Sequence, residues 1–242
     1  MCIPDSQGSL ASSPGALKRS RTRIFILSLL SLGTMINYLD RTILGIVAPK
    51  LTTEIHIDPA MMGIVFSAFA WTYALAQIPG GMFLDRFGNK LTYALSIFFW
   101  SLFTLLQSFS LGLKSLLLLR LGLGVSEAPC FPANSRIVSK WFPQHERARA
   151  TATYTVGEYI GLAAFSPLLF LILEHHGWRT LFFLTGGLGI LFTFVWWRFY
   201  HEPHESKTAN KAELDYIGAD QVANKSENIP FNWRDARRLL CC

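Results

Sequence analysis

Charge is what this sequence has least of. Only 16% of its 242 residues are Asp, Glu, Lys or Arg, where a soluble globular domain carries about 25%. Hydrophobic residues make up 51% and the mean hydropathy is +0.31, which excludes a soluble fold and points to an integral membrane protein. The net charge of +6 does not mark a nucleic-acid interface, because the basic residues cluster between apolar runs instead of forming one stripe. Cysteine is nearly absent. Cys130 lies within an apolar run and Cys2, Cys241 and Cys242 are assigned to the cytoplasm, so no disulfide is expected. Cys241 and Cys242 read as an ordinary thiol pair at the start of a further segment rather than as palmitoylation sites. Metal-ligand spacing is also missing: His56, His145, His175, His176, His201 and His204 are expected in loops, without the spacing a metal needs. No metal, no cofactor and no enzyme activity is expected.

What is present is a set of apolar runs near the roughly 20 residues that cross a hydrocarbon core of about 30 Å. Six are found: Ile24 to Val47, Met61 to Leu84, Leu91 to Leu111, Ser115 to Val138, Ala148 to Leu173 and Thr180 to Tyr200. They predict an all-α membrane bundle of six transmembrane helices over residues 24–200. Runs three and six are nearly uniformly apolar and are expected to face lipid. Runs one, four and five carry charges and are expected to face the interior and supply the functional residues.

Basic residues accumulate on the cytoplasmic side of a membrane protein. Lys18, Arg19, Arg21 and Arg23 precede run one; Arg86 and Lys90 follow run two; Lys140, Arg147 and Arg149 follow run four; Arg198, Lys207 and Lys211 follow run six. The alternate connections hold only Lys50, Lys114 and Arg179, so both ends are expected in the cytoplasm. Residues 1–23, rich in Ser and Gly, read as a disordered cytoplasmic tail. A signal peptide over Arg19 to Met35 is disfavoured, since Asn37 to Arg41 does not look like a cleavage site and five more runs follow.

Asp40, Arg41, Arg120, Glu127 and Glu158 lie inside the runs. An ionisable side chain in hydrocarbon costs about 2.5 to 3.5 kcal/mol on insertion scales, so it persists where it meets a partner or a water-filled cavity. Asn37, Asp40 and Arg41 stand at i, i+3 and i+4 beside Tyr38, a spacing that puts them on one helical face. Arg120 and Glu127 are two turns apart, roughly 10.5 Å along one face. Tyr73 and Gln77 stand at i and i+4 in run two. Arginines suit a carboxylate, acids can carry protons, and phenol and amide groups bond hydroxyls. Two alternatives stay open: Asp40 with Arg120 as a purely structural ion pair, and Glu158 as a protonated acid at a helix contact. If Asp40 takes one of the two arginines, only the other is left for Glu127. Gly157 and Gly161 form a small-x-x-x-small pair, read as packing rather than a gate. Trp71, Trp178, Trp196 and Trp197 are read as interface anchors.

The stretch Gly80-Gly81-Met82-Phe83-Leu84-Asp85-Arg86-Phe87-Gly88-Asn89-Lys90 resembles the G-x-x-x-D-R-x-G-R/K-K loop of the major facilitator superfamily, departing only at Asn89, where a basic residue is usual. Asn37 to Arg41, Arg120 to Pro129, Phe131 to Asn134, Trp141 to Pro143 and Glu146-Arg147 resemble the anion:cation symporter branch, which contains bacterial transporters of galactonate, glucarate and hexuronates.

The resemblance implies a proton-coupled symporter of a small organic anion, most simply a sugar acid such as a hexonate, hexuronate or aldarate. It would be a multi-pass protein of the cell membrane, the inner membrane in a bacterium. Asp40 and Glu127 match the protonated carboxylates, Arg41 and Arg120 their charge partners and substrate ligands, and Tyr38, Tyr73 and Glu158 substrate-contacting positions. Close relatives can carry glutamine at Glu158. Gly81, Asp85, Arg86, Gly88 and Lys90 match the gating loop. The resemblance further implies that this chain is the N-terminal half, that residues 201–242 begin a cytoplasmic linker whose stretch from His201 to Asn228 is mobile, and that a second six-helix half completes the protein. A non-transporting fragment or membrane interaction module, and a membrane-embedded enzyme, are the competing classes.

Overall fold

In hydrocarbon every backbone N–H and C=O must be bonded within the chain. The computed structural model describes residues 20–206 and 208–223, and its regular structure among them is all helical. The helices are α1 (Thr22–Glu54), α2 (Pro59–Gln107), α3 (Leu113–Glu127), α4 (Cys130–Trp141), α5 (Gln144–Phe199) and α6 (Lys211–Ala223). Four stretches, namely α1, α2, α3 with α4, and α5, are long and apolar enough to cross a membrane.

α2 and α5 are too long to cross once. With 49 and 56 residues at about 1.5 Å each, straight rods would be more than twice as long as a hydrocarbon core. Each is broken once, at Gly88 (φ 78°, ψ 174°) and at Gly177 (φ 78°, ψ 171°), a backbone region essentially reserved for glycine. The breaks are hairpins. A Cβ at Gly122 of α3 would meet Phe103 and one at Gly124 would meet Phe69 and Tyr73, so both arms of α2 lie beside the same turn of α3. Likewise Gly161 lies against Met35 and Gly189 against Ile36, which puts both arms of α5 beside one turn of α1. Six membrane-length rods result, and the expected loop after run two is a one-residue bend.

Two apolar cores fill the bundle. One gathers Trp100, Trp141, Trp196 and Tyr200 toward the Gly88 end, and the other Leu44, Leu51, Trp178 and Phe182 toward the Gly177 end. The ionisable residues sit where the two meet: Asp40 between Ile36 and Ile43 on α1, and Arg120 between Leu116 and Leu123 on α3. Gly157 and Gly161 are packing residues, since an added Cβ would lie 2.7 Å from Ser31 Oγ at the first and would meet the Met35 side chain at the second.

Several expectations change. Run six does expose Phe183, Leu188, Leu191 and Phe194, but Thr185 on it, and Trp100, Ser101 and Thr104 on run three, are buried. Charge alone was a poor guide to which rods face inward. Of the four tryptophans, Trp71 and Trp197 are exposed, whereas Trp178 donates to Glu54 Oε2 at 2.6 Å and Trp196 stacks between Tyr93 and Tyr200. His145, His175 and His176 belong to α5 rather than to loops. The start of the segment after run six is anchored rather than mobile: Glu202 accepts from Asn89 at 2.9 Å and Lys140 at 3.0 Å, and Glu213 of α6 accepts from Ser20 and from the Arg23 backbone. Residues 20–23 therefore belong to the fold, while residues 1–19, Lys207 and 224–242, with Cys2, Cys241 and Cys242, lie outside the described residues.

Candidate functional site

Arg41 and Glu127 meet directly. Arg41 Nε donates to Glu127 Oε1, joining the middle of α1 to the last residue of α3, and Glu127 is 1% exposed. Asn37, one turn earlier on α1, also lies against that carboxylate. The open question of which arginine Glu127 takes is answered in favour of Arg41. Four rings surround its guanidinium, with centres 5.3 Å (Tyr38), 5.1 Å (Phe69), 4.8 Å (Tyr73) and 5.6 Å (Phe131) away. Each such contact contributes about 0.5 to 2 kcal/mol, more as water is excluded, so the cage can hold the cation when its carboxylate partner changes. The Arg41 side chain remains 24% exposed and is open to a ligand.

Asp40 points elsewhere. Consecutive helical residues diverge by about 100°, and Asp40 has Glu127 and Arg120 within electrostatic range and Trp100 and Thr185 beside it. Both charged groups are buried, yet among the described residues neither Asp40 oxygen nor Arg120 Nε or Nη2 has a hydrogen-bond partner. The two lie within electrostatic range of one another without a direct ion pair. The shared face expected for Asn37, Asp40 and Arg41 is corrected too: the first and last serve Glu127, and Asp40 looks toward the second arms of α2 and α5.

Glu158 is buried in α5 beside Tyr38 and within range of Arg41, with Oε2 unpartnered. Tyr38 packs edge-on against Phe131 at 6.3 Å and Tyr159 at 6.1 Å. The arrangement brings Tyr38, Arg41, Tyr73, Glu127 and Glu158 to one cage, and sets Asp40 and Arg120 behind it. Phe69, Phe131, Trp100 and Thr185 were not foreseen as site residues. Phe69 stands four residues before Tyr73, a spacing that already placed it on the same face.

At the Gly88 end Asp85 pairs with Arg136 of α4 at 2.7 Å, a partner outside its own motif. Arg86 lies over the Phe87 ring and Lys90 over that of Trp197. Gly88 is the glycine the bend requires. Gly81 has open space around it, whereas Gly80 is the close approach, its added Cβ 3.1 Å from Pro129 Cγ. Asn89, the one departure from the motif, holds Glu202.

The sequence matches the family model described as Major Facilitator Superfamily over residues 30–241. The chain belongs to the major facilitator superfamily. It is 48% identical over 202 residues to the D-galactonate transporter of Escherichia coli O6:H1, covering 84% of this chain and 47% of that protein. It is 42% identical over 238 residues to the probable galactarate/D-glucarate transporter GudP of Escherichia coli K12, covering 92% and 53%. The chain thus spans about half the length of these relatives. Among solved structures, the bacterial homologue of the human lysosomal transporter Spinster, inward-facing and occupied, superposes with TM-score 0.66 at 27% identity, covering 76% of this chain and 45% of that one. The inward-open xylose transporter XylE of Escherichia coli superposes with TM-score 0.68 at 13% identity, covering 86% and 57%, a likeness of fold alone. This member of the superfamily is a multi-pass membrane protein of a transporter family.

Proposed function

We propose that the chain forms the N-terminal half of a proton-coupled symporter for a sugar acid, a hexonate, hexuronate or aldarate, with both of its ends in the cytoplasm. The observation that carries this is Arg41: a cation held by four rings, open on one side, whose direct carboxylate partner among the described residues is the buried Glu127. A substrate carboxylate takes the place of Glu127 on the guanidinium, in the charge-assisted geometry that arginine favours. Glu127 is then an unpaired acid away from water, a state costly enough that it takes up a proton. Tyr38, Tyr73, Asn37 and Glu158 are in reach to bond the hydroxyls of a polyol acid. Sugar-acid names among relatives with 42–48% identity support the same substrate class.

Energetics favour protons as the driving ion. Importing a monoanion against a negative-inside potential costs about 2.3 kcal/mol per 100 mV. One proton makes that step electroneutral and two make it favourable; a dianionic aldarate needs two for neutrality. Asp40 and Glu127 supply two titratable sites. Basic residues near the Gly88 bend, including Arg86, Lys90, Lys140 and Arg147, put that end inside by the positive-inside rule. The second six-helix half supplies the other wall of the cavity, and rocking of one half on the other gives alternating access.

The test is uptake into proteoliposomes carrying the full-length protein. Labelled D-galactonate or D-glucarate should accumulate when the outside is acidic, a protonophore should abolish accumulation, and Arg41→Ala should abolish counterflow as well. Accumulation that survives the protonophore contradicts proton coupling, and counterflow that survives Arg41→Ala contradicts the anion site. The 242 residues alone are expected to insert without transporting; saturable pH-driven uptake by them would contradict the need for a second half.

A further inference from the structure

The second arm of α2, and the turn after it, carry a polar stripe that the anion site does not use. Trp100, Ser101, Thr104, Gln107 and Ser110 are all at most 1% exposed. Trp100 Nε1, Ser101 Oγ, Thr104 Oγ1, Gln107 Oε1 and Ser110 Oγ nevertheless have no hydrogen-bond partner among the described residues. Trp100, Thr104 and Gln107, at steps of four and three, share one face of this arm; Ser101 adjoins Trp100, and Ser110 lies in the turn past the helix end at Gln107. Several hydroxyls elsewhere in the apolar rods, though not that of Thr92 earlier on this arm, close onto their own helix: Thr34 to Leu30 O at 3.1 Å, Thr42 to Tyr38 O at 2.8 Å, Ser67 to Gly63 O at 2.9 Å, Ser166 to Leu162 O at 2.6 Å and Thr193 to Gly189 O at 3.1 Å. That is the ordinary way to satisfy Ser and Thr in such helices. Ser101 and Thr104 do not do it.

The stripe has a defined start and direction. Trp100 lies beside Asp40, and Ser101 sits at the seam with α5, where a Cβ at Gly189 would meet its Oγ. Thr104, Gln107 and Ser110 follow turn by turn toward the α2–α3 connection, the end opposite the Gly88 bend. Buried polar groups without a protein partner are typically satisfied by internal water that makes about three hydrogen bonds. Three such groups on one helical face, with Ser101 beside the first, Ser110 in the turn beyond the last and a carboxylate next to Trp100, suit a continuous file.

We propose that this stripe holds a file of water that joins Asp40 to the aqueous end at Ser110 and delivers protons to Asp40 by a route separate from the anion site at Arg41. The proposal rests on the proton-coupled reading above and adds the path. A hydronium at the Ser110 end passes its excess proton along the file, each water gaining one proton and giving up one. The last forms the O–H bond on an Asp40 oxygen, with nothing oxidised or reduced. Asp40 is faced by Glu127 and Arg120 from α3, Trp100 from α2 and Thr185 from α5.

Two measurements on the whole chain in lipid nanodiscs test this. X-ray hydroxyl-radical footprinting oxidises side chains next to water held in place. Trp100 should be oxidised, while Trp196, equally buried with Nε1 bonded to Lys90 O, should stay unmodified. Infrared spectroscopy after a pH jump follows the Asp40 carboxyl band, assigned by its loss in Asp40→Asn. Thr104→Val keeps the shape and removes the hydroxyl; it should abolish Trp100 oxidation and slow Asp40 protonation several-fold, and Thr104→Ser should restore both. Protection of Trp196 in the variant reports an intact fold, and Ser101→Ala is the second variant should that protection be lost. An unmodified Trp100 in the unaltered chain, or an Asp40 protonation rate that neither variant changes, overturns the proposal. Failure of pH-driven uptake with the footprint and infrared pattern intact would instead defeat the symport reading and leave the file standing.

Discussion

Arg41 with Glu127 and Asp40 with Arg120 are the same chemistry on the same two helices, one carboxylate and one guanidinium shared between α1 and α3, and the fold treats them in opposite ways. The first pair is in direct contact, ringed by aromatics and open on one side. The second is buried more evenly and makes no direct ion pair, with polar atoms of both partners unbonded among the described residues. A contact pair can be broken by a competing carboxylate. A separated pair has nothing for a ligand to displace, and its state changes only by gaining or losing a proton. Adjacency in sequence, Asp40 beside Arg41, hides this difference, because one residue along a helix is a different face.

The strongest way to break the comparison is to remove one member of the contact pair. Arg41→Ala leaves Glu127 buried and unpaired, and should cost about 3 to 5 kcal/mol, read as a large drop in melting temperature in detergent together with loss of sugar-acid binding. Replacing both partners, Arg41→Met with Glu127→Leu, should recover most of that stability while binding stays lost. If the double variant is no more stable than Arg41→Ala, the two side chains do not depend on one another as described. Asp40→Asn should be milder, about 1 kcal/mol, because no hydrogen bond is lost; a drop as large as that of Arg41→Ala would show a contact the structure lacks. The smallest effect is expected at the exposed pair. Asp85→Asn removes the bond to Arg136, whose Asp85 side chain is 77% exposed, and should change stability by at most about 1 kcal/mol. In a full-length protein it should slow turnover and leave substrate affinity within a few fold, and a collapse of affinity at normal rate would detach the bend from gating.

Much of this was legible in the residues. Apolar runs of membrane length give six rods, although two glycine bends merge four of them into two long helices. The superfamily motif around Gly88 located the bend itself, because only glycine takes φ near 78° with extended ψ at no cost. Asp40, Arg41, Arg120 and Glu127 were visible as charges in hydrocarbon. Their pairing was not, since it depends on which way two adjacent residues point and on where α3 ends relative to α1. Sorting rods by charge also overlooked Trp100 and Thr185. Trp100, Thr104 and Gln107 stand at helical spacing in the sequence, but uncharged Thr, Gln and Trp weigh little in a hydropathy reading. Partners that come from distant segments, such as Arg136 for Asp85 and Glu202 for Asn89, leave no local signal.

The central claim is that Glu127 carries a proton when a substrate carboxylate displaces it from Arg41. Glu127→Gln mimics the protonated acid, and counterflow and pH-driven accumulation measured on one preparation of the full-length variant read the two half-cycles apart. The account predicts that counterflow of labelled sugar acid persists while accumulation under an acid-outside gradient is lost. Undiminished accumulation would remove Glu127 from the coupling, and loss of both activities together would make it a structural partner of Arg41 alone.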